Sequence, residues 1–111
     1  MKKFFDVAYD CGEKNKLDAY LPDGKELPII IYFHGGGLEA GDKGDENFRE
    51  IGESFADSGY GFISVNYRLY GDGATFPDYI NDCAKAIAYI KKNLSHFSGN
   101  GQIFVAGQSA G

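Results

Sequence analysis

Two short runs pair residue types that could do chemistry: His34-Gly35-Gly36-Gly37 and Gly107-Gln108-Ser109-Ala110-Gly111. In the first, consecutive glycines let the backbone turn tightly, so N–H groups can point into a space instead of a ladder, and such a loop binds an anion. A phosphate, a dinucleotide pyrophosphate or the oxyanion of an acyl-transfer transition state would each suit it. In the second, a Ser between small residues is what a strained strand-to-helix turn needs to hold out a nucleophilic hydroxyl. Composition alone would give G-x-S-x-G roughly 0.12 times in this chain and H-G-G-G roughly 0.006 times, so their joint presence carries weight.

Spacing argues against phosphate. A Walker loop needs Lys directly after its second Gly, but here Gly36 and Gly41 lead into Asp42, and the Ser/Thr is missing. Gly35 to Ala40 does match the looser G-x-G-x-x-A. That pattern requires the glycines to open a helix, whereas Gly41-Asp42-Lys43-Gly44-Asp45 continues the loop. A nucleotide- or phosphate-binding module remains one alternative, and a non-catalytic fragment packed against a partner chain is another.

The elements that must position these runs can be read from periodicity. Phe5, Val7 and Tyr9 alternate against Phe4, Asp6 and Ala8, and Leu17, Ala19 and Leu21 against Lys16, Asp18 and Tyr20, which predicts two half-buried antiparallel strands around a turn at 11–15. Ile29-Ile30-Ile31-Tyr32-Phe33 is continuously apolar, as is a strand buried on both faces, and 61–65 and 102–106 look alike. Phe48, Ile51 and Phe55 predict one helix, capped by Asp45 or Asn47. Ile80, Cys83, Ile87, Ile90 and Leu94 predict a second, with Pro77 in its first turn and Asp78, Lys91 and Lys92 where the helix dipole favours them. Strands alternating with helices give a parallel α/β sheet with an antiparallel hairpin at its edge.

Composition narrows the functions. The 111 residues leave room for one core, and a net charge of −5 argues against a nucleic-acid partner. The apolar stretches are too short for a membrane span or a signal peptide, so the default expectation is a cytoplasmic protein without a membrane partner. Cys11 and Cys83 fit no metal spacing, and Cys83 falls on an apolar helix face, so both read as packing residues. The chemistry outlined above requires no metal and no organic cofactor.

With both motifs directly after strands, the sequence resembles the N-terminal half of α/β-hydrolases of the hormone-sensitive-lipase and carboxylesterase group. Leu17-Asp18-Ala19-Tyr20-Leu21-Pro22 is similar to the family's second strand, His34-Gly35-Gly36-Gly37 to its oxyanion loop, Val65-Asn66-Tyr67-Arg68-Leu69 to its tyrosine-arginine-leucine stretch and Gly107 to Gly111 to its nucleophile elbow. Phe76-Pro77 through Asp82 is similar to the start of its next helix, so the likeness covers the whole chain. It implies an α/β-hydrolase-like, mostly parallel sheet with an N-terminal antiparallel hairpin, in strand order 1-2-4-3-5 and truncated after the fifth strand, with residues 1–111 forming one partial domain. It also implies Ser109 as nucleophile, an oxyanion hole from the N–H groups of Gly36, Gly37 and Ala110, loop-shaping roles for His34 and Gly35, and a small ester as substrate. Leu38 and Tyr70-Gly71-Asp72-Gly73 depart from the family's usual aromatic and its proline and acid.

In this fold the triad runs Ser, then Asp or Glu, then His along the chain. His34 and His96 both precede Ser109, and Asp72, Asp78 and Asp82 read as loop and helix-start acids. The Asp and His members are therefore expected to be missing from these 111 residues, and the chain alone to be inactive. The resemblance further predicts that Arg68 pairs with Asp82. The uncharged run 102–106 is expected to offer a strand edge for self-association.

Overall fold

The computed structural model describes residues 1–24, 27–34, 43, 46–68, 78–94, 97 and 99–107. Ser109, Ala110, Gly35 to Gly37, Leu38, Asp45, Tyr70 to Gly73, Pro77 and His96 lie outside them. The chain runs β1 (Lys2–Ala8), β2 (Lys16–Leu21), β3 (Leu27–Phe33), α1 (Glu46–Asp57), β4 (Gly61–Val65), α2 (Asp78–Lys92) and β5 (Gly99–Gly107). The strands form one sheet in the order β1-β2-β4-β3-β5. β2 is antiparallel to both β1 and β4, whereas β3 runs parallel to β4 and to β5. The hairpin, the parallel core and the strand order are as expected from sequence.

Strand periodicity divides the core. Leu17, Ala19, Leu21, Ile29, Ile31, Phe33, Ile63 and Val65 cluster with Ala86 and Ile90 of α2, and half-buried Cys83, Ile87 and Leu94 pack against them. The alternate positions Tyr20 and Phe62, with Ile30 and Tyr32, form a second cluster with Ala56 and Ile51 of α1. The sheet is thus covered by a helix cluster on each face. β4 is buried throughout, as its apolar run predicts. In β3, buried positions alternate with half-buried ones.

Five expectations need correction. β2 is no half-buried strand: five of its six residues are buried, because β1 and β4 flank it and both faces are covered. In β1 the alternation is broken by an irregularity between Phe4 and Val7, where Asp6 takes a left-handed φ of 55°. Phe4, Val7 and Tyr9 consequently join the core while Phe5 is left exposed, its ring edge-on to Tyr20. On α2, Ile80 points to solvent at 57% exposure, so the apolar stripe starts at Cys83, and Cys11 is exposed in the β1–β2 turn. β5 was expected to be buried like β4, yet residues 104–107 are exposed, because β3 is its one partner strand among the described residues.

The join from α1 to β4 is a Schellman cap. Gly59, at φ 92°, donates to the Ala56 carbonyl, Tyr60 donates to that of Phe55, and the Phe55 and Tyr60 rings meet edge to face. At Gly52, α1 comes so close to β2 that an added Cβ would lie 2.7 Å from the buried Tyr20 ring. Gly52→Ala should therefore destabilise the chain: overpacking costs about 1–3 kcal/mol, more than the roughly 1 kcal/mol gained in helix propensity. A lower urea midpoint at unchanged slope is the expected reading.

The two sheet edges differ in their guard. β1 carries Lys2, Lys3 and Asp6 together with its irregularity, whereas β5 has no charged residue and exposes Phe104 at 54% and Val105 at 57%. With no like charges to repel it, a second copy can add along β5, and we predict concentration-dependent self-association of the 111-residue chain. Native mass spectrometry should show it weakened by Phe104→Lys.

Candidate active site

The register of β3 and β5 places the two motifs. Phe33 pairs with Gly107, so the chain leaves both strands at the same carboxyl end, at adjacent positions about 4.8 Å apart across the ladder. β4 lies on one side of β3 and β5 on the other, which makes this end a switch point, where open α/β sheets bind their ligands. Of the site residues expected from sequence, His34 is described, as is Gly107, which opens the second motif; Ser109, Ala110 and Gly35 to Gly37 lie outside the described residues.

His34 is fully buried where β3 ends. Its carbonyl accepts a 2.7 Å hydrogen bond from the Tyr67 hydroxyl, and the two rings stack with centroids 4.7 Å apart, tilted by 15°. Burial pushes the Tyr67 phenol up to about 12, which keeps it a donor at any physiological pH. Tyr67 follows β4 by two residues, so the strand beside β3 secures the start of the glycine stretch.

The next residue makes the expected pair. The Arg68 backbone N–H and Nε both donate to Asp82 Oδ2 at 2.9 Å, and Nη2 donates to Oδ1 at 2.9 Å. The Asp82 side chain is 1% exposed and that of Arg68 36%, and Asp78 Oδ1 lies 3.9 Å from Arg68 Nη2. Burial pushes the Asp82 carboxyl up, but the hydrogen bonds and charge of Arg68 outweigh it and hold the carboxyl below its usual range. The arrangement continues inward: the Tyr9 hydroxyl donates to the Asn66 carbonyl at 2.5 Å and accepts from Asn15 Nδ2 at 3.3 Å. Half-buried Cys83 is pushed up to about 11 by burial, which makes its thiol a poor nucleophile.

Sequence reasoning missed Lys43. Its side chain is 7% exposed, and Nζ lies 2.7 Å from Asp6 Oδ1 and 2.9 Å from Asp18 Oδ1. Its backbone N–H donates to Asn66 Oδ1 at 2.8 Å, and its carbonyl accepts from Ser64 Oγ at 3.1 Å. A cleft of about 420 Å³ opens beside it, lined by Asp6, Glu13, Lys14, Lys16, Lys43 and Asn66. The signal was Asp18: an acid inside a run that alternates as a buried strand must find a cation.

The family model BD-FAE matches residues 17–111. A probable isoprenylcysteine alpha-carbonyl methylesterase of Arabidopsis thaliana is 30% identical, over 95% of this chain and 25% of its own length. The kynurenine formamidase of Danio rerio is 29% identical, over 96% and 35%. Among solved structures, an esterase from Thermogutta terrifontis superposes with a TM-score of 0.81 at 25% identity, over 94% of this chain and 39% of its own. The chain therefore spans between about a quarter and two-fifths of the relatives named.

The Arg68–Asp82 pair predicts asymmetric mutants. Asp82→Ala leaves an Arg68 that can reach water and should cost about 1–2 kcal/mol, whereas Arg68→Ala strands a buried carboxylate and should cost about 3 kcal/mol. In the parent the lowered Asp82 value contributes stability that is complete above the unfolded pKa and lost as pH falls through the folded one. In Arg68→Ala, burial without its counter-charge raises the Asp82 value, and protonation relieves the strain. The deficit relative to the parent should accordingly shrink between neutral pH and about pH 4, as read by urea denaturation at each pH.

Proposed function

Because this chain belongs to the BD-FAE family, we propose that it carries the nucleophile and oxyanion hole of a serine hydrolase acting on small carboxylic esters. The observation that carries this reading is the pairing of Phe33 with Gly107, which starts the glycine run and the G-x-S-x-G run side by side at one end of the sheet. A nucleophile and an anion-binding loop must both lie about 3 Å from the reacting carbonyl, and two runs that follow adjacent parallel strands at one sheet end support such an arrangement. The sheet, its strand order and the esterase relatives support the reading.

In this mechanism Ser109 Oγ attacks the ester carbonyl and the oxygen takes up negative charge. The N–H groups of Ala110, Gly36 and Gly37 receive that charge, in a loop shaped by Gly35 and His34. A His oriented by an acid, both supplied from outside residues 1–111, accepts the Ser109 proton and passes it to the departing alkoxide. Water then releases the acid from the acyl-enzyme by the same route. His34 is poorly suited to be that base: it is fully buried against Tyr67.

The isolated chain should hydrolyse p-nitrophenyl acetate no faster than its Ser109→Ala variant. Fused to the part of the Thermogutta esterase outside the matched region, it should gain turnover that Ser109→Ala lowers by about a thousandfold or more. A folded fusion whose hydrolysis ignores Ser109 would overturn the reading, and micromolar nucleotide binding by the chain would favour the phosphate-binding alternative.

A further inference from the structure

The two described residues that bound the glycine stretch, His34 and Lys43, are held by one short piece of chain. Tyr67 takes the His34 carbonyl, and Ser64 and Asn66 take the carbonyl and N–H of Lys43. Ser64 and Asn66 are two residues apart along an extended chain and so share a face, while Tyr67 serves the other side. Both feet of the stretch are thereby referred to β4 and its continuation, which is itself paired with β3.

Lys43 carries one more constraint, and it is an expensive one. Removing an ammonium from water costs several kcal/mol, and well-packed apolar residues commonly stabilise a core as well as a buried ion pair does. Net stability is thus a weak reason for a charge here. A fixed direction is a better one: Nζ is gripped between Asp18, which is 3% exposed, and Asp6, which the irregularity in β1 places beside it. Asp18 Oδ1 also accepts from the Asp6 backbone N–H at 2.9 Å, which locks the acceptor. Although burial works against the charge on Lys43, the hydrogen bonds that Nζ donates to both carboxylates outweigh it and hold its value above the usual lysine range.

We propose that Lys43 is a positioning residue, whose ion pairs with Asp18 and Asp6 set the downstream foot of the glycine stretch relative to His34 and so preorganise the donors of Gly36 and Gly37. This rests on the proposed oxyanion hole, since oriented N–H groups stabilise charge without reorganising during the reaction.

Backbone amide NMR on the 111-residue chain tests it without any turnover. In Lys43→Met the Gly35, Gly36 and Gly37 resonances should shift by more than a linewidth, while those of 29–33 and 61–65 stay in place. Lys43→Arg should restore them, and Lys85→Met, which breaks the exposed pair with Asp10, should leave them untouched. Unmoved glycine resonances, an Arg variant as perturbed as Met, or equal shifts throughout β3 and β4 would each overturn the proposal. If Lys43→Met does not fold, Asp6→Asn decides: Asp6 is 70% exposed and Asp18 stays paired, so a smaller shift at the same three glycines supports the proposal and none overturns it. This readout can fail while Ser109-dependent hydrolysis succeeds, and the reverse, so the two readings stand or fall separately.

Discussion

Strand β3 has both edges committed to parallel ladders, with β4 on one side and β5 on the other. A parallel neighbour cannot be reached by a tight turn, so the chain must cross over a sheet face each time. α1 lies on the first crossing and α2 on the second, and their apolar stripes become the two halves of the core. The same commitment fixes which residues emerge together at the carboxyl end. Phe33 and Gly107 are opposite one another because the ladder has a register, and that register is set by burial, since a slip of one residue would turn Ile29, Ile31 and Phe33 to the opposite face.

Around that end, polar side chains are held by protein neighbours. Ser64, Asn66, Tyr67 and Arg68 lie within or just past β4 and tie together three parts of the molecule: Ser64 and Asn66 bond Lys43 ahead of α1, Tyr67 the end of β3, and Arg68 the first turns of α2. Asp82 and Asp18 are both nearly inaccessible, and each is matched by a cation with good geometry. Buried charges are strongly destabilising when one partner is removed, but modest in their net contribution when both are present. Their use here is orientation, and they cluster where the chain must turn without regular structure.

Much of this was legible in the sequence. The strands at 29–33 and 61–65 and the helix 78–92 followed from apolar runs and a 3.6-residue period, and the Arg68–Asp82 pair from the family likeness. What was misread has local causes. The left-handed Asp6 changes which side chains of β1 face inward, and alternation counted from residue to residue cannot register a skipped beat. The full burial of β2 depends on two neighbouring strands, one of them more than forty residues away along the chain, and Lys43 on carboxylates from two other strands. Such contacts are set by tertiary pairing, to which a single sequence gives only hints, such as an acid at Asp18 in an otherwise buried run.

The pairing of β3 with β5 has a bearing on the order of events in folding. β1 and β2 are joined by a short turn, and their ladder closes a small loop. Ile30 and Phe104 are also partners, yet most of the chain lies between them, so their ladder bears the largest closure entropy in the sheet and rests on contacts that must already be in place. The juxtaposition of the two motifs therefore belongs to the late, slow part of folding. A ribosome-bound or partly folded chain would have its hairpin and helices well before Phe33 met Gly107.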